Sequence, residues 1–377
     1  MSLDHLRTHR SEKFRSYDLD VLPLPVAEMD FEIATPIRDL LIEMATNSDT
    51  GYLGPVPELA NNLAIFARDK WGWEIDTHNV FVAADVGVAM VEMARTVVQP
   101  GDAIIINSPV YHNFFNWTKE LHCSLIDIPL KNELLNYSLD FDALEQAYKN
   151  GAKIHFLCNP HNPVGTVFNR AELSRLADLA HKYGVAIFSD EVHAPLVFPG
   201  TEFVPFLSVS DTAREVGICT TAASKSWNLA GLKSATIVVA SQRWRDRALS
   251  MPAAVHYRAS LFGAFSAATA YTCVEWLDAL LVVLDRNRKF LAEQLSSKLP
   301  EVGYRLPDAT YLAWLDLSKL NLGPNPADIL LAEGRVAFSP GINFSADTSQ
   351  FIRLNFATSE AVISEAIDRI VKVVQGK

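Results

Sequence analysis

The sequence predicts an α/β fold, a mostly parallel seven-stranded sheet covered by helices on both faces, joined to a smaller α+β unit. The first observation behind this is the alternation of seven short β-prone runs with helical stretches between about residues 79 and 241. The second is a change of texture near Cys273, where a long helical stretch replaces the alternation. The third is how the central runs end: apolar residues give way abruptly to ionisable or Pro-punctuated turns, where open α/β sheets place their chemistry.

Taken along the chain, residues 1–45 are punctuated by Pro23, Pro25 and Pro36 and are expected to pack back against the C-terminal unit. Residues 46–272 form the large unit, with strands expected at 80–83, 103–107, 124–128, 154–158, 185–189, 218–221 and 235–240. Between them, residues 170–183 carry Leu173, Leu176, Ala177 and Ala180 on one face at helical spacing. Residues 273–377 form the small unit: a helix over 274–299, strands over 311–317 and 351–356, and a closing helix over 360–374. No internal repeat or low-complexity segment interrupts this order.

Bulk composition narrows the function class. The 377 residues are 49% hydrophobic and 20% charged, which excludes a disordered chain and predicts a globular enzyme. A net charge of −11 opposes a nucleic-acid or anionic-membrane partner. No apolar run approaches a membrane span, and the charged N-terminus does not read as a signal peptide, so the cytoplasm is expected. Cys123, Cys158, Cys219 and Cys273 form no CxxC pair, so neither a metal site nor a disulfide framework is expected.

The most informative stretch is residues 221–233, where Lys225 sits among small residues between two apolar runs, with Lys233 following it. A lysine that attacks a carbonyl needs desolvation or a neighbouring cation to lower its pKa, and small neighbours leave room for a bulky aldehyde. That pattern points to a Schiff base with pyridoxal phosphate. Upstream, the apolar run 185–189 ends in Asp190-Glu-Val-His193, and Asp190 is placed to keep the cofactor's ring nitrogen protonated. The run into Asn159-Pro-His-Asn-Pro-Val-Gly165 restricts each asparagine to extended or turn backbone, so Asn162 projects its amide towards the phenolic oxygen. An Asn–Pro bond at Pro160 or Pro163 is expected to be cis, to aim that turn.

The strand ending at Ala83 runs into a helix starting near Val86 and Gly87, whose free amide hydrogens suit a phosphate, and Lys233 adds a charge. In the run 351–356, Ile352, Leu354 and Phe356 face one way while Arg353 and Asn355 face the other. Arg353 is therefore the candidate for a substrate α-carboxylate, held by two bonds from its guanidinium.

With these residues assembled, the chain resembles fold-type I pyridoxal-phosphate enzymes, and within them the MalY/PatB group of cystathionine β-lyases (C-S lyases) related to class I/II aminotransferases. The likeness rests on Val26-Ala-Glu-Met-Asp-Phe31, Thr50-Gly-Tyr-Leu-Gly54, Ser108-Pro-Val-Tyr111, Asn159-Pro-His-Asn-Pro-Val-Gly165, Ser189-Asp-Glu-Val-His193, Ser224-Lys-Ser-Trp-Asn-Leu-Ala-Gly231, Thr310-Tyr-Leu-Ala-Trp-Leu315 and Phe351-Ile-Arg-Leu-Asn355.

The resemblance implies that Lys225 holds the cofactor, Asp190 meets the pyridinium, and Asn162 and His193 lie near the phenolic oxygen. It places Tyr111 on the ring face, and Tyr311 with Asn162 and Arg353 around an amino-acid substrate. Tyr52 would reach the phosphate in a second copy, making the active site a property of a homodimer. Lys225, Asp190 and Tyr111 are then the catalytic set, and Trp227 supports the lysine. The implied reaction is β-elimination from L-cystathionine and related cysteine S-conjugates, giving thiol, pyruvate and ammonia. Transamination shares the cofactor residues and is the alternative, as is a cofactor-binding protein with a regulatory role.

Two departures concern the phosphate. Ala222 stands where many relatives carry serine, so Ser224 or Thr221 is expected to supply a hydroxyl; Asp85 is expected to cap the helix while facing away.

Overall fold

The computed structural model describes residues 1–376. Its large sheet contains β1 (Val80–Ala83), β2 (Ala103–Ile106), β3 (Ser124–Asp127), β4 (Ile154–Cys158), β5 (Ala186–Asp190), β6 (Gly217–Thr221) and β7 (Ala235–Val238), in the order β1-β7-β6-β5-β4-β2-β3. All pairings are parallel except those of β7, which runs antiparallel to both β1 and β6. The expected mostly parallel sheet of seven strands is thus present. Every residue of β4, β5 and β6 is buried, because helices cover both faces and leave no side for alternating polar residues.

Local chemistry sets the element ends. The helix Arg170–Tyr183 begins with a reciprocal capping box between Asn169 and Glu172 and stops at Gly184, whose φ of +70° suits a residue without Cβ. Its buried side chains are Leu173, Leu176, Ala177 and Ala180, the face that the spacing predicts. At Gly263 the constraint is close approach: a Cβ there would lie 2.0 Å from the Leu232 carbonyl oxygen, so the glycine admits the turn that presents Lys233.

Further along, the helix Val274–Lys298 leads to a four-stranded antiparallel sheet of β8 (Gly303–Tyr304), β9 (Leu312–Asp316), β10 (Ser339–Pro340) and β11 (Phe351–Asn355), ordered β8-β9-β11-β10. The helix Glu360–Gln375 closes the chain. No single helix among the described residues is long and apolar enough to cross a membrane; the pair Leu261–Ala270 and Val274–Lys298 carries enough apolar residues together but bends by 79°.

The N-terminal segment returns to the C-terminal part of the chain in a separate two-stranded sheet. Leu22–Pro23 pairs in parallel with Val336–Ala337, and Arg335 meets both Asp18 and Asp20 at 2.8 Å. Lys13 and Asp30 form a 2.6 Å ion pair with side chains only 1% and 4% exposed. Removing one partner of such a pair strands the other charge away from water. Lys13→Ala is therefore expected to destabilise the protein by about 3–5 kcal/mol, read as a lower thermal midpoint and as earlier proteolysis of the N-terminal segment.

Candidate active site

Three adjacent strands end together. In register, Cys158 of β4, Asp190 of β5 and Thr220 of β6 lie side by side, so the loops that follow them converge on one cavity of about 640 Å³. Lys225, Asp190, Asn162, His193, Tyr111, Arg353, Lys233, Ser224, Val86 and Gly87 all line it. Residues separated by more than two hundred positions are thus brought together by a sheet whose strand ends are its chemical edge.

Lys225 follows β6 in the short helix Ala223–Ser226, braced by Trp227, which is fully buried against Phe66 and Tyr271. Its amine donates to the Ala27 carbonyl at 3.2 Å. Burial lowers its pKa to about 8, with Arg353 and Lys233 acting in the same sense and Glu28 and Asp190 opposing. A neutral, nucleophilic amine is accordingly available near neutral pH.

Asp190 is 5% exposed. Burial raises its pKa to about 7, against the Val192 amide, which donates to it at 3.1 Å, and the positive Lys225. A cation placed beside this carboxyl would ionise it. Burial, Lys225 and Arg353 lower His193 to about 3, which keeps its ring neutral, and its Nδ1 has no protein partner. Cys158 also lines the cavity, and burial pushes its thiol pKa up, so it stays protonated there.

Arg353 is 5% exposed. Its guanidinium donates to the Pro25 carbonyl at 2.7 Å, to Asn162 Oδ1 at 3.1 Å and to Ser339 Oγ at 3.1 Å, while Nε has no partner. All of these acceptors are neutral. Burial lowers its pKa to about 10, so it remains a cation facing the cavity without a counter-ion from the described residues. Tyr111 packs beside His112 with ring centroids 4.5 Å apart, and its hydroxyl accepts from Asn113 Nδ2 at 2.9 Å.

At the anion end, the helix Val86–Arg95 presents its first turn to the cavity. A Cβ on Gly87 would lie 3.0 Å from Trp117 Nε1 and 3.3 Å from Asp85 Oδ1, so the glycine keeps this cradle open. The site therefore fits the phosphorylated aromatic aldehyde that the resemblance implies: a phosphate at the helix N-terminus with Ser224 and Lys233, the aldehyde at Lys225, a ring nitrogen at Asp190 and its phenolic oxygen at Asn162 and His193. Among the described residues no cluster of His, Cys, Asp or Glu could hold a metal ion.

Three placements differ from expectation. Asp85 caps the helix, accepting from the Val88 amide at 2.9 Å, yet it does not face away: its other oxygen lies 3.2 Å from Lys233 Nζ at the cavity wall. Lys233 is the only cation of that loop, and a capping carboxylate beside it is the natural neutralising partner. Tyr311 stands behind the wall and not on it: its hydroxyl donates to the Ala27 carbonyl at 2.9 Å, and its ring packs edge-on to His193 with centroids 6.3 Å apart. Of the two hydroxyls proposed to replace the one missing at Ala222, Thr221 donates to the Glu191 carbonyl at 3.4 Å, and only Ser224 reaches the cavity.

Tyr52 is 90% exposed and does not line the cavity of its own chain. The Asn159–Pro160 and Asn162–Pro163 bonds are both cis, as is Ser108–Pro109. Glu12, Tyr17, Glu28 and His112 line the cavity but were not singled out from the sequence. The one available signal was Glu28, a carboxylate inside the motif 26–31.

The family model described as aminotransferase class I and II matches residues 20–370. A cystathionine beta-lyase of Corynebacterium glutamicum is 34% identical over 372 residues, covering 98% of this chain and 98% of its own length. Cystathionine beta-lyase PatB of Bacillus subtilis (strain 168) is 29% identical over 367 residues, covering 93% of this chain and 92% of its own. The crystal structure of cystalysin from Treponema denticola, which contains a pyridoxal 5'-phosphate cofactor, matches with a TM-score of 0.92 at 28% identity, over 100% of this chain and 98% of that one. With the family model matching residues 20–370 and relatives aligned over nearly the whole length, the chain belongs to the class I and II aminotransferase family.

Proposed function

We propose that the protein is a pyridoxal-phosphate-dependent C-S β-lyase that cleaves L-cystathionine and related cysteine S-conjugates to thiol, pyruvate and ammonia. The observation that carries this reading is the convergence of a depressed lysine, a buried carboxyl and an arginine without counter-ion on one cavity. When bound, pyridoxal phosphate supplies an electron sink for the charge that develops at the substrate's Cα. The relatives named for cystathionine beta-lyase activity support the lyase over the transaminase reading.

Each chain residue then has a task. Arg353 holds the α-carboxylate through its guanidinium fork, with Asn162 fixing the orientation of that fork. Lys225, once its amine is free and neutral, removes the proton from Cα as general base. Asp190, ionised opposite the protonated ring nitrogen, holds that proton in place. Tyr111 covers the ring face with its aromatic surface. Neutral His193 and the amide of Asn162 meet the phenolic oxygen.

The reading includes a homodimer, in which Tyr52 of each copy reaches the other copy's phosphate. Its 90% exposure on a single chain supports that role.

Incubation with cystathionine and no keto-acid acceptor is expected to release thiol and pyruvate; a strict need for an acceptor would favour transamination. Lys225→Ala should lower turnover by about 10²–10⁴, the range for loss of a general base, and abolish borohydride labelling of the lysine peptide. Arg353→Lys should keep the charge but lose the fork, raising KM about tenfold or more for an effect of about 1.5–3 kcal/mol.

Stability against pH tests Asp190. In the cofactor-free protein it keeps its proton to about 7, against an ordinary value of 3.8. Between these values the folded state binds more protons than the unfolded chain, so this stabilising contribution is complete at low pH and is lost as pH rises through about 7. The slope should reach about 1.4 kcal/mol per pH unit for this group. Denaturation of the cofactor-free protein across this window should show wild-type stability falling relative to that of Asp190→Asn as pH rises; His155, His161 and His193, held neutral by burial, give both proteins a slope of the opposite sign that cancels in this comparison. Glu191, also raised to about 7 by burial, acts in the same sense as Asp190 in both proteins and likewise cancels in the comparison.

A further inference from the structure

The cavity has a rim that the proposed reaction leaves without a task. Glu12 and Tyr17 come from the N-terminal segment and line the same cavity as Lys225 and Arg353. Glu12 opens the short helix Glu12–Arg15. Its neighbour Lys13 is drawn inwards by the buried 2.6 Å pair with Asp30, which fixes this turn of chain over the cavity mouth. Glu12 is exposed to solvent, and its carboxylate has no ion-pair or hydrogen-bond partner among the described residues. Its negative charge falls on Tyr17, Tyr111 and His112, favouring their protonated forms. The other unassigned carboxylate, Glu28, instead acts on Lys225 and Tyr311, at the reacting end.

The cavity is therefore polar along its length. Arg353 and Lys225 form a cationic floor, and a free carboxylate stands at the rim on the Tyr111 side. A substrate whose α-carboxylate sits on Arg353 and whose Cα faces Lys225 must send its sulfur substituent towards the space that remains, which opens at this rim. We infer that Glu12 is a specificity-determining residue that receives a distal ammonium group. The preferred cysteine S-conjugates are then those whose sulfur substituent carries a primary amine, over neutral or purely anionic tails. This inference rests on the lyase reading and deepens it.

The test compares two near-isosteric conjugates, S-(2-aminoethyl)-L-cysteine and S-propyl-L-cysteine, with the holoenzyme and pyruvate release as readout. The aminoethyl compound is expected to have the higher kcat/KM. Glu12→Gln should shrink the ratio of the two values about fivefold, as befits an ion pair at an exposed rim, with the change falling on KM. Glu12→Lys should turn preference towards S-carboxymethyl-L-cysteine, and the visible absorbance of bound cofactor reports that each variant is folded and loaded. Pyruvate release with the ratio unchanged in Glu12→Gln and no shift in Glu12→Lys overturns the inference alone. No pyruvate from any conjugate with wild-type protein overturns the lyase reading and the inference with it.

Discussion

A guanidinium buried among neutral oxygens is the constraint on which the arrangement turns. Removing Arg353 from water carries a large desolvation cost, and no carboxylate of the described residues offsets it. The compensation comes from dipoles: the Pro25 carbonyl, the Asn162 amide oxygen and Ser339 Oγ, with the Phe344 ring centroid 5.0 Å from the guanidinium carbon. These belong to the N-terminal segment, the loop after β4 and strand β10. The cation can remain buried only where all three meet, so the group that would hold a substrate also fastens the small sheet to the large one. A protein carboxylate beside it would have cancelled the charge the site needs, at the added cost of taking a second charge out of water.

The same logic runs through residues 25–29, a strap held by its backbone. The Ala27 carbonyl accepts from Tyr311 and Lys225, the Val26 and Glu28 carbonyls accept from Asn355 Nδ2, and Met29 exchanges two bonds with Asn228. Polar atoms so deeply placed need partners, and here the partners come from the motifs that also carry the chemistry. Motif residues 310–315 and 351–355 therefore shape the cavity partly at second hand. Tyr311 holds the strap that receives the Lys225 amine.

Much of this was legible in the sequence because chemistry at strand ends leaves a sharp local signature. The abrupt passage from 185–189 into Asp190, the Pro-punctuated turn around Asn162 and the alternation placing Arg353 opposite Ile352 and Leu354 each announce themselves within a few residues. All of them reach the cavity. What stayed hidden depends on contacts between distant segments. Backbone acceptors such as Ala27 O carry no residue signature, so the strap and the supporting role of Tyr311 could not be read. Glu12 looks like any surface acid until Lys13 and Asp30 pin its turn over the mouth. For Asp85, capping was readable from its place before Val86, but its second oxygen's bond to Lys233 required the turn that Gly263 admits.

The central pair also explains how one cavity holds opposite charges without collapsing them into a salt bridge. Burial moves Asp190 up to about 7 and Lys225 down to about 8, so the two groups approach each other in proton affinity while each mildly favours the other's charge. A tight ion pair would have driven these values apart, fixing both groups ionised across the whole neutral range. Here neither amine nor carboxyl is locked, and small changes in local charge decide their states. A cation beside Asp190 ionises it; an anion on Arg353 relieves part of the repulsion that depresses Lys225. Protonation at this site is thus set by what occupies it, and the groups that bind a ligand are also those that tune the base next to it.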